Sequence, residues 1–342
     1  MFAERQFSYS LAPEELDKYL AQGWFRMQQN IFVTHFLTFH NKFYSAIWLR
    51  IELNNYLPDK KQIELFKLNK HFKTEIKKAE ITPEKEDLYA MYKEGVSFQP
   101  SSSLQQLLFG INDFNRFDSY EVNVYDDNVL IATGFFDVGE TSAEGISSFY
   151  NPAYKKNSLG KFLMYLKINY CRQKGLEYFY PGYIVPGYKP FEYKASIGKA
   201  TLEYLSLSTN TWLPYAQFTE LQNPLEIMRK KLMALQAHLQ SDKIETKLLF
   251  YRFFDAGLDP TCDGLPLFDY PIFLQFPLEE NDISFKLIVF DVRDNSYHFI
   301  ACNSVASIDY YEPNEQIFNS DLLVIEKKLF VIASPEDKIS GK

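Results

Sequence analysis

Three places in the chain bring together residue types that can do chemistry. The first is Asn157-Ser158-Leu159-Gly160-Lys161, which reads as a loop entering a helix, with Lys155 and Lys156 just ahead of it. The first amides of a helix have no intrahelical acceptor and carry partial positive charge, so phosphate or carboxylate binds there readily. A plainer reading of the same residues is a Ser158 N-cap with Gly160 packed against a strand. The second place is Asp137, which ends the strand "LIATGFFD". An acid so placed can orient or deprotonate an amine, or simply cap the turn before Gly139. The third is the tract holding Tyr178, Tyr180, Tyr183, Tyr188 and Tyr193 among Pro, Gly and Lys, with Tyr150 ahead of it. Such rings suit base stacking and ammonium contacts, and equally suit a core or its rim.

These residues need a frame. Leu159, Phe162, Leu163, Leu166 and Tyr170 follow helical spacing, and Gly175 closes that helix. Before it, "YEVNVYDDNVLIATGFFDVG" reads as a hairpin turning at Asp126-Asp127-Asn128, and "GISSFYN" as a strand ended by Pro152. After it, "LEYFYPGY" is extended again. Hairpin, strand, helix and strand give an α/β order, with a helix packed across a mixed sheet. Upstream, a short helix ends at Gly23, "IFVTHFLTF" and "FYSAIWLRIEL" read as two strands, and "KKQIELFKLNKHF" reads as a lysine-rich helix. A further helix starts at Thr82-Pro83 and closes at Gly95. Beyond Pro214, one amphipathic helix and several apolar strands suggest a separate α+β module. The expected organisation is an N-terminal region 1–80, a central domain 81–217 and an acidic module 218–342.

The 342 residues carry a formal charge of −8. It is unevenly placed: residues 220–342 hold 20 acidic and 12 basic groups, leaving 24 of each sign before them. Within that neutral part, Lys60 to Lys78 holds seven lysines, and Ala153 to Ala200 holds nine Lys or Arg. The overall sign argues against a generic DNA binder, while the two basic segments suit a polyanion at a defined place or a solvated helix face. Cys171, Cys262 and Cys302 stand far apart with no redox or ligand spacing, and His35 and His40 lack partners, so no metal is expected. No apolar run of membrane-spanning length and no signal-peptide pattern occurs, so a cytoplasmic protein off the membrane is expected.

Taken in order, the segments resemble the arginyl/leucyl-tRNA–protein transferase family. The likeness runs over roughly residues 15–215. It is carried by Gly23-Trp24-Phe25-Arg26, Lys67-Leu68-Asn69-Lys70, Asp137, Gly145-Ile146-Ser147-Ser148-Phe149-Tyr150-Asn151-Pro152 and Ser158-Leu159-Gly160. It continues through Leu176-Glu177-Tyr178-Phe179-Tyr180-Pro181-Gly182-Tyr183 and Phe191-Glu192-Tyr193-Lys194. The resemblance implies an acetyltransferase-like fold without a cofactor, moving Arg or Leu from charged tRNA to the α-amine of protein N-termini. It implies Asp137 as the catalytic carboxylate that orients the amine or accepts its proton. Tyr150, Ser158, Leu159, Gly160, Tyr183, Tyr193 and Lys194 would then form the aminoacyl and acceptor-end pocket. Arg26, Lys67, Asn69 and Lys70 would hold the tRNA backbone.

The departures matter too. Where the family carries a cysteine cluster, this chain has His35-Phe36-Leu37-Thr38-Phe39. Where arginines follow the Tyr-Lys pair, it has Ala195-Ser196-Ile197-Gly198-Lys199. Pro181 and Phe191 replace a Leu and a Met. Two other readings therefore stand beside transfer: a non-catalytic relative that binds N-degrons, tRNA or a protein, and a coenzyme A-dependent N-acyltransferase. A single Gly in the phosphate loop is sparse for the latter.

Overall fold

The computed structural model describes residues 1–7, 10–96, 100–278, 284–307 and 318–334. At its centre is an eight-stranded sheet. Across it run Thr211–Pro214, Leu202–Ser206, Ile47–Glu52, Tyr178–Ile184, Ser142–Tyr150, Val129–Val138, Ser119–Asp126 and Lys73–Lys78. Every neighbouring pair is antiparallel except Ser142–Tyr150 with Tyr178–Ile184. A parallel pair needs a long crossover, and helix Leu159–Gln173 supplies it. This is the mixed α+β arrangement expected from the element order.

Strand Val129–Val138 is buried along almost its whole length because both faces of the sheet are covered. On one face, Ala132 and Phe136 share a core with Leu159, Phe162, Leu163 and Ile168 of the crossover helix. On the other, Phe135 and Phe149 pack against Leu88 and Tyr89 of helix Pro83–Glu94 and Leu104 and Leu108 of helix Leu104–Phe109. The first of these helices opens as expected, with the Thr82 hydroxyl accepting from the Lys85 amide.

The sheet opens at one place. Strand Ser142–Tyr150 pairs with Tyr178–Ile184 only over Ser142–Glu144 against Tyr178–Tyr180, and beyond that the two part. A bulge between Gly145 and Ser147 shifts its pairing with Val129–Val138. A second shift, between Phe179 and Gly182, redirects the other strand against Ile47–Glu52. The resulting gap lies at the N-terminal end of the crossover helix.

Upstream, the structure departs from the sequence reading. The two expected strands are each broken, giving Asn30–Thr34 with Phe36–Phe39, and Lys42–Ser45 with Ile47–Glu52. The breaks fall at His35 and Ala46, which face one another: Ala46 N–H donates to His35 C=O (2.8 Å), and His35 N–H to Phe2 C=O (3.0 Å). Each half then serves a different sheet. Lys73–Lys78, the tail of the expected lysine-rich segment, is an exposed edge strand after helix Lys60–Leu68, and such edges are commonly protected by lysines.

Residues beyond 218 build a six-stranded sheet covered by helix Pro224–Ser241, whose Met228, Leu232, Leu235 and Leu239 face Phe273 and Ile288. Phe2, Phe36 and the half-buried Phe43 pack into this same core. Phe39 instead stacks on Tyr188 at 4.5 Å and lies 5.9 Å from Phe191. The two phenylalanines that stand where the resemblance places cysteines thus tie their hairpin to the C-terminal core and to the segment flanking the gap.

Candidate active site

A cleft of about 730 Å³ occupies the gap. Its wall combines Ser148 and Tyr150 from the diverging strand, Ser158, Gly160 and Lys161 from the helix start, Lys155 ahead of it, Tyr92 from helix Pro83–Glu94, and Tyr193. The volume suits a small-molecule-sized group with a few polar contacts. Gly160 lies against the Tyr150 ring, where a Cβ would meet Cε1 at 3.7 Å, an ordinary contact. Tyr150 in turn sits 6.3 Å from Tyr92, ring to ring. Lys161 Nζ contacts Ser196 Oγ at 3.3 Å.

Ser158 lines the cleft but does not act as the N-cap of the plainer reading. It adopts a left-handed conformation (φ 49°, ψ 44°) and its side chain makes no capping bond. The amides of Leu159 and Gly160, first in the helix, therefore receive no cap from it. Leu159 itself is wholly buried and packs in the core rather than lining the cleft.

What holds this loop is Asn69, expected to touch tRNA but found 1% exposed. Its Nδ2 donates to Asn157 C=O (3.0 Å), and Asn157 Nδ2 donates back to Asn69 Oδ1 (3.1 Å). Asn69 is thus a positioning residue. Lys67 and Lys70 on either side are exposed, so that segment presents charge near the cleft's supporting loop. Asn69→Ala should lower stability by about 1 kcal/mol, since the half-buried Asn157 groups lose their partner. Urea denaturation of the two proteins checks this.

Lys194 and Tyr183 lie beside the cleft rather than in its wall. Lys194 Nζ stands 5.3 Å from the Tyr183 ring centre and 5.5 Å from that of Phe191, and burial lowers its pKa to about 8. Tyr183 stacks on Phe191 at 5.4 Å and meets the edge of Trp48 at 4.8 Å. Burial pushes the Tyr183 phenol up to about 12.

Arg26 and Asp137 are not at the cleft. Asp137 pairs in the sheet with Glu144, six residues before Tyr150 along the neighbouring strand. There Arg26 Nη1 donates to both Asp137 oxygens (2.9 and 3.0 Å), and the Ser119 hydroxyl to one of them. Arg26 also donates to the carbonyls of Leu108 and Gln28, both at 2.6 Å. Its side chain is 2% exposed and that of Asp137 is 0% exposed, so neither meets a macromolecule at the surface. The expected acid and the expected tRNA contact form one buried ion pair, because the strand starting at Phe25 crosses the end of the sheet where Asp137 emerges.

Glu144 completes this cluster. Burial, and then the Asp137 carboxylate, push its pKa up to about 8; its Oε2 accepts from the Arg26 amide (3.1 Å) and its Oε1 is buried without a partner. An unfolded glutamate ionises near 4.5. Between these values the folded state holds the extra proton, so Glu144 makes stability fall as pH rises. Glu144→Gln removes the titration, and the decline of the urea midpoint between about pH 5 and pH 8 should flatten in the variant.

The sequence reading missed Tyr92 and Ser148 as cleft residues. It also missed Lys167, a buried lysine beneath Ser148. Among the described residues, Asp291, Asp294 and His298 in the C-terminal module form a group close enough to share an ion. Arg293 already binds Asp291 through Nε and Nη2 at 2.6–3.2 Å, so the group reads as a salt-bridged turn. No helix among the described residues is long and apolar enough to cross a membrane.

A model of the arginine-tRNA-protein transferase C terminus matches residues 64–203. Every residue named above as lining the cleft lies within that span. An aspartate/glutamate leucyltransferase from Leptospira interrogans is 28% identical over 223 residues, covering 62% of this chain and 85% of that protein. Proteins of the same name from Ruegeria (28% over 195 residues, 53% and 67% covered) and Pseudomonas fluorescens (32% over 152 residues, 42% and 63% covered) also match. Among solved structures, the C-terminal domain of a putative lysylphosphatidylglycerol synthetase from Agrobacterium fabrum aligns over 41% of this chain and 46% of that one. Its identity is 14% and its TM-score 0.32, too low to bear on fold or function. The matched segment and these relatives support the arginyl/leucyl-tRNA–protein transferase family for this chain.

Proposed function

We propose that the cleft receives the aminoacyl end of a charged tRNA and that the chain transfers the amino acid, leucine first among candidates, to proteins beginning with Asp or Glu. The observation that carries this reading is the coincidence of the cleft lining with the family-matched segment. Donor and acceptor follow the names of the relatives. In this reading the terminal ribose or phosphate meets the Leu159 and Gly160 amides with Lys155 and Lys161 beside them. The adenine lies among Tyr92, Tyr150 and Tyr193, whose faces stack on any base. Lys67 and Lys70 hold the tRNA backbone farther out.

The chemistry asks little of the protein. An aminoacyl ester is already activated, and an N-terminal amine with a pKa of about 7.7–8.0 is substantially neutral at physiological pH. Holding amine and ester in line supplies much of the acceleration. The test mixes the protein with tRNA charged with labelled Leu or Arg and with peptides beginning Asp, Glu, Arg or Lys. Label from Leu on Asp and Glu peptides is expected. Label from Arg alone would change the donor, and no label on any peptide would refute transfer.

A further inference from the structure

Lys167 lies on the crossover helix, turned into the sheet and 1% exposed. Its Nζ donates to the carbonyls of Phe135 (2.8 Å) and Ser147 (2.9 Å) and lies 3.0 Å from Ser148 Oγ. All three contacts are uncharged oxygens at or beside the bulge. The titratable groups acting on it are Cys171 on the same helix, Lys194 from the turn beside the cleft, and Asp137 on strand Val129–Val138. Burial is the largest influence and lowers its pKa to about 7.

The three oxygens differ in one respect. A carbonyl only accepts, whereas a hydroxyl can also donate. When Lys167 gives up a proton, its lone pair has one donor to face among these contacts, and that is Ser148. Ser148 lines the cleft. Gly134 leaves room for the pair, since a Cβ there would stand 2.7 Å from Ser148 Oγ and 3.0 Å from Lys167 Nζ. A lysine needed only to satisfy two bulge carbonyls requires no hydroxyl from a residue of the cleft wall.

We infer that Ser148 is a catalytic residue of the transfer, carrying the proton from the attacking amine to the leaving ribose oxygen, and that Lys167 is its positioning residue. The inference rests on the transferase reading. The amine nitrogen bonds to the ester carbonyl carbon and the bond from that carbon to the ribose oxygen breaks. Ser148 Oγ takes a proton from the nitrogen while passing its own to neutral Lys167. The proton then returns through Ser148 to the departing oxygen. One proton has moved from nitrogen to oxygen and the enzyme is unchanged.

The test uses the full chain, leucyl-tRNA and an Asp-initial peptide under steady-state conditions. Ser148→Ala keeps Lys167 and its two carbonyl bonds, so the fold stands. It should slow transfer by about 100-fold, with tRNA affinity and thermal midpoint unchanged. In the wild type the acid limb of log(kcat/KM) against pH reflects two groups, the acceptor amine and Lys167, and in Ser148→Ala only the amine. Lys167→Arg, still able to donate to the bulge carbonyls but always charged, should fold and transfer as slowly as Ser148→Ala. A Ser148→Ala rate within about threefold of wild type, or an unchanged acid limb, overturns the inference. A wild type inactive with every donor and acceptor overturns the transferase reading, and this inference with it.

Discussion

Arg26→Ala is expected to destabilise the protein by about 3–5 kcal/mol, the range for leaving one member of a buried ion pair alone. The substitution strands Asp137, which is wholly buried, and removes donors from the carbonyls of Leu108 and Gln28. It also deepens the conflict between Asp137 and Glu144, now two buried carboxyls with no cation between them. Denaturant midpoints measure the loss, and transfer per folded molecule should survive below the transition. Asp137→Asn should behave in the same direction, with a smaller loss. Were Asp137→Asn to abolish transfer at unchanged stability, the acid would belong to the chemistry and the structural account of this pair would fail.

Gly160→Trp should abolish transfer, by at least about 100-fold, while the fold persists. Gly160 stands in the first turn of the crossover helix and faces the cleft, and its Cβ position has only an ordinary contact with Tyr150. Gly160→Ala therefore fits without strain and should leave the thermal midpoint unchanged or slightly raised, because alanine is the better helix former. An indole in the same place fills the volume between Tyr150 and Tyr193. Transfer rates falling with side-chain size, at constant thermal midpoint, would tie activity to this cleft. Equal rates for Gly160→Ala and Gly160→Trp would place the chemistry elsewhere.

How legible the fold was depended on the range of the interactions. The crossover helix, the Asp126-Asp127-Asn128 hairpin and the Thr82 cap are set by neighbours within a few residues, and periodicity and turn chemistry reveal them. The breaks at His35 and Ala46 depend on backbone bonds to each other and to Phe2, which no local pattern announces. Strand Lys73–Lys78 was hidden because an edge strand open to water need not alternate. At the site, Tyr150, Ser158 and Gly160 were legible since one strand end and one helix start carry them. Arg26 and Asp137 lie 111 positions apart in the chain, and only the folded sheet joins them. Lys167 did leave a trace: it stands four residues after Leu163 and three before Tyr170, on the apolar stripe of its helix. A lysine there is buried by the spacing itself, while its contact with Ser148 is visible only in the fold.

In the proposed transfer, the acceptor end of tRNA sits in the cleft at the crossover helix. The most direct measurement uses tRNA ending in 8-azidoadenosine, crosslinked by light to the full chain and mapped by peptide mass spectrometry. Adducts are expected on the peptides carrying Tyr92, Tyr150 and Tyr193, suppressed by Gly160→Trp. Adducts confined to residues beyond 218, or unaffected by Gly160→Trp, would contradict it.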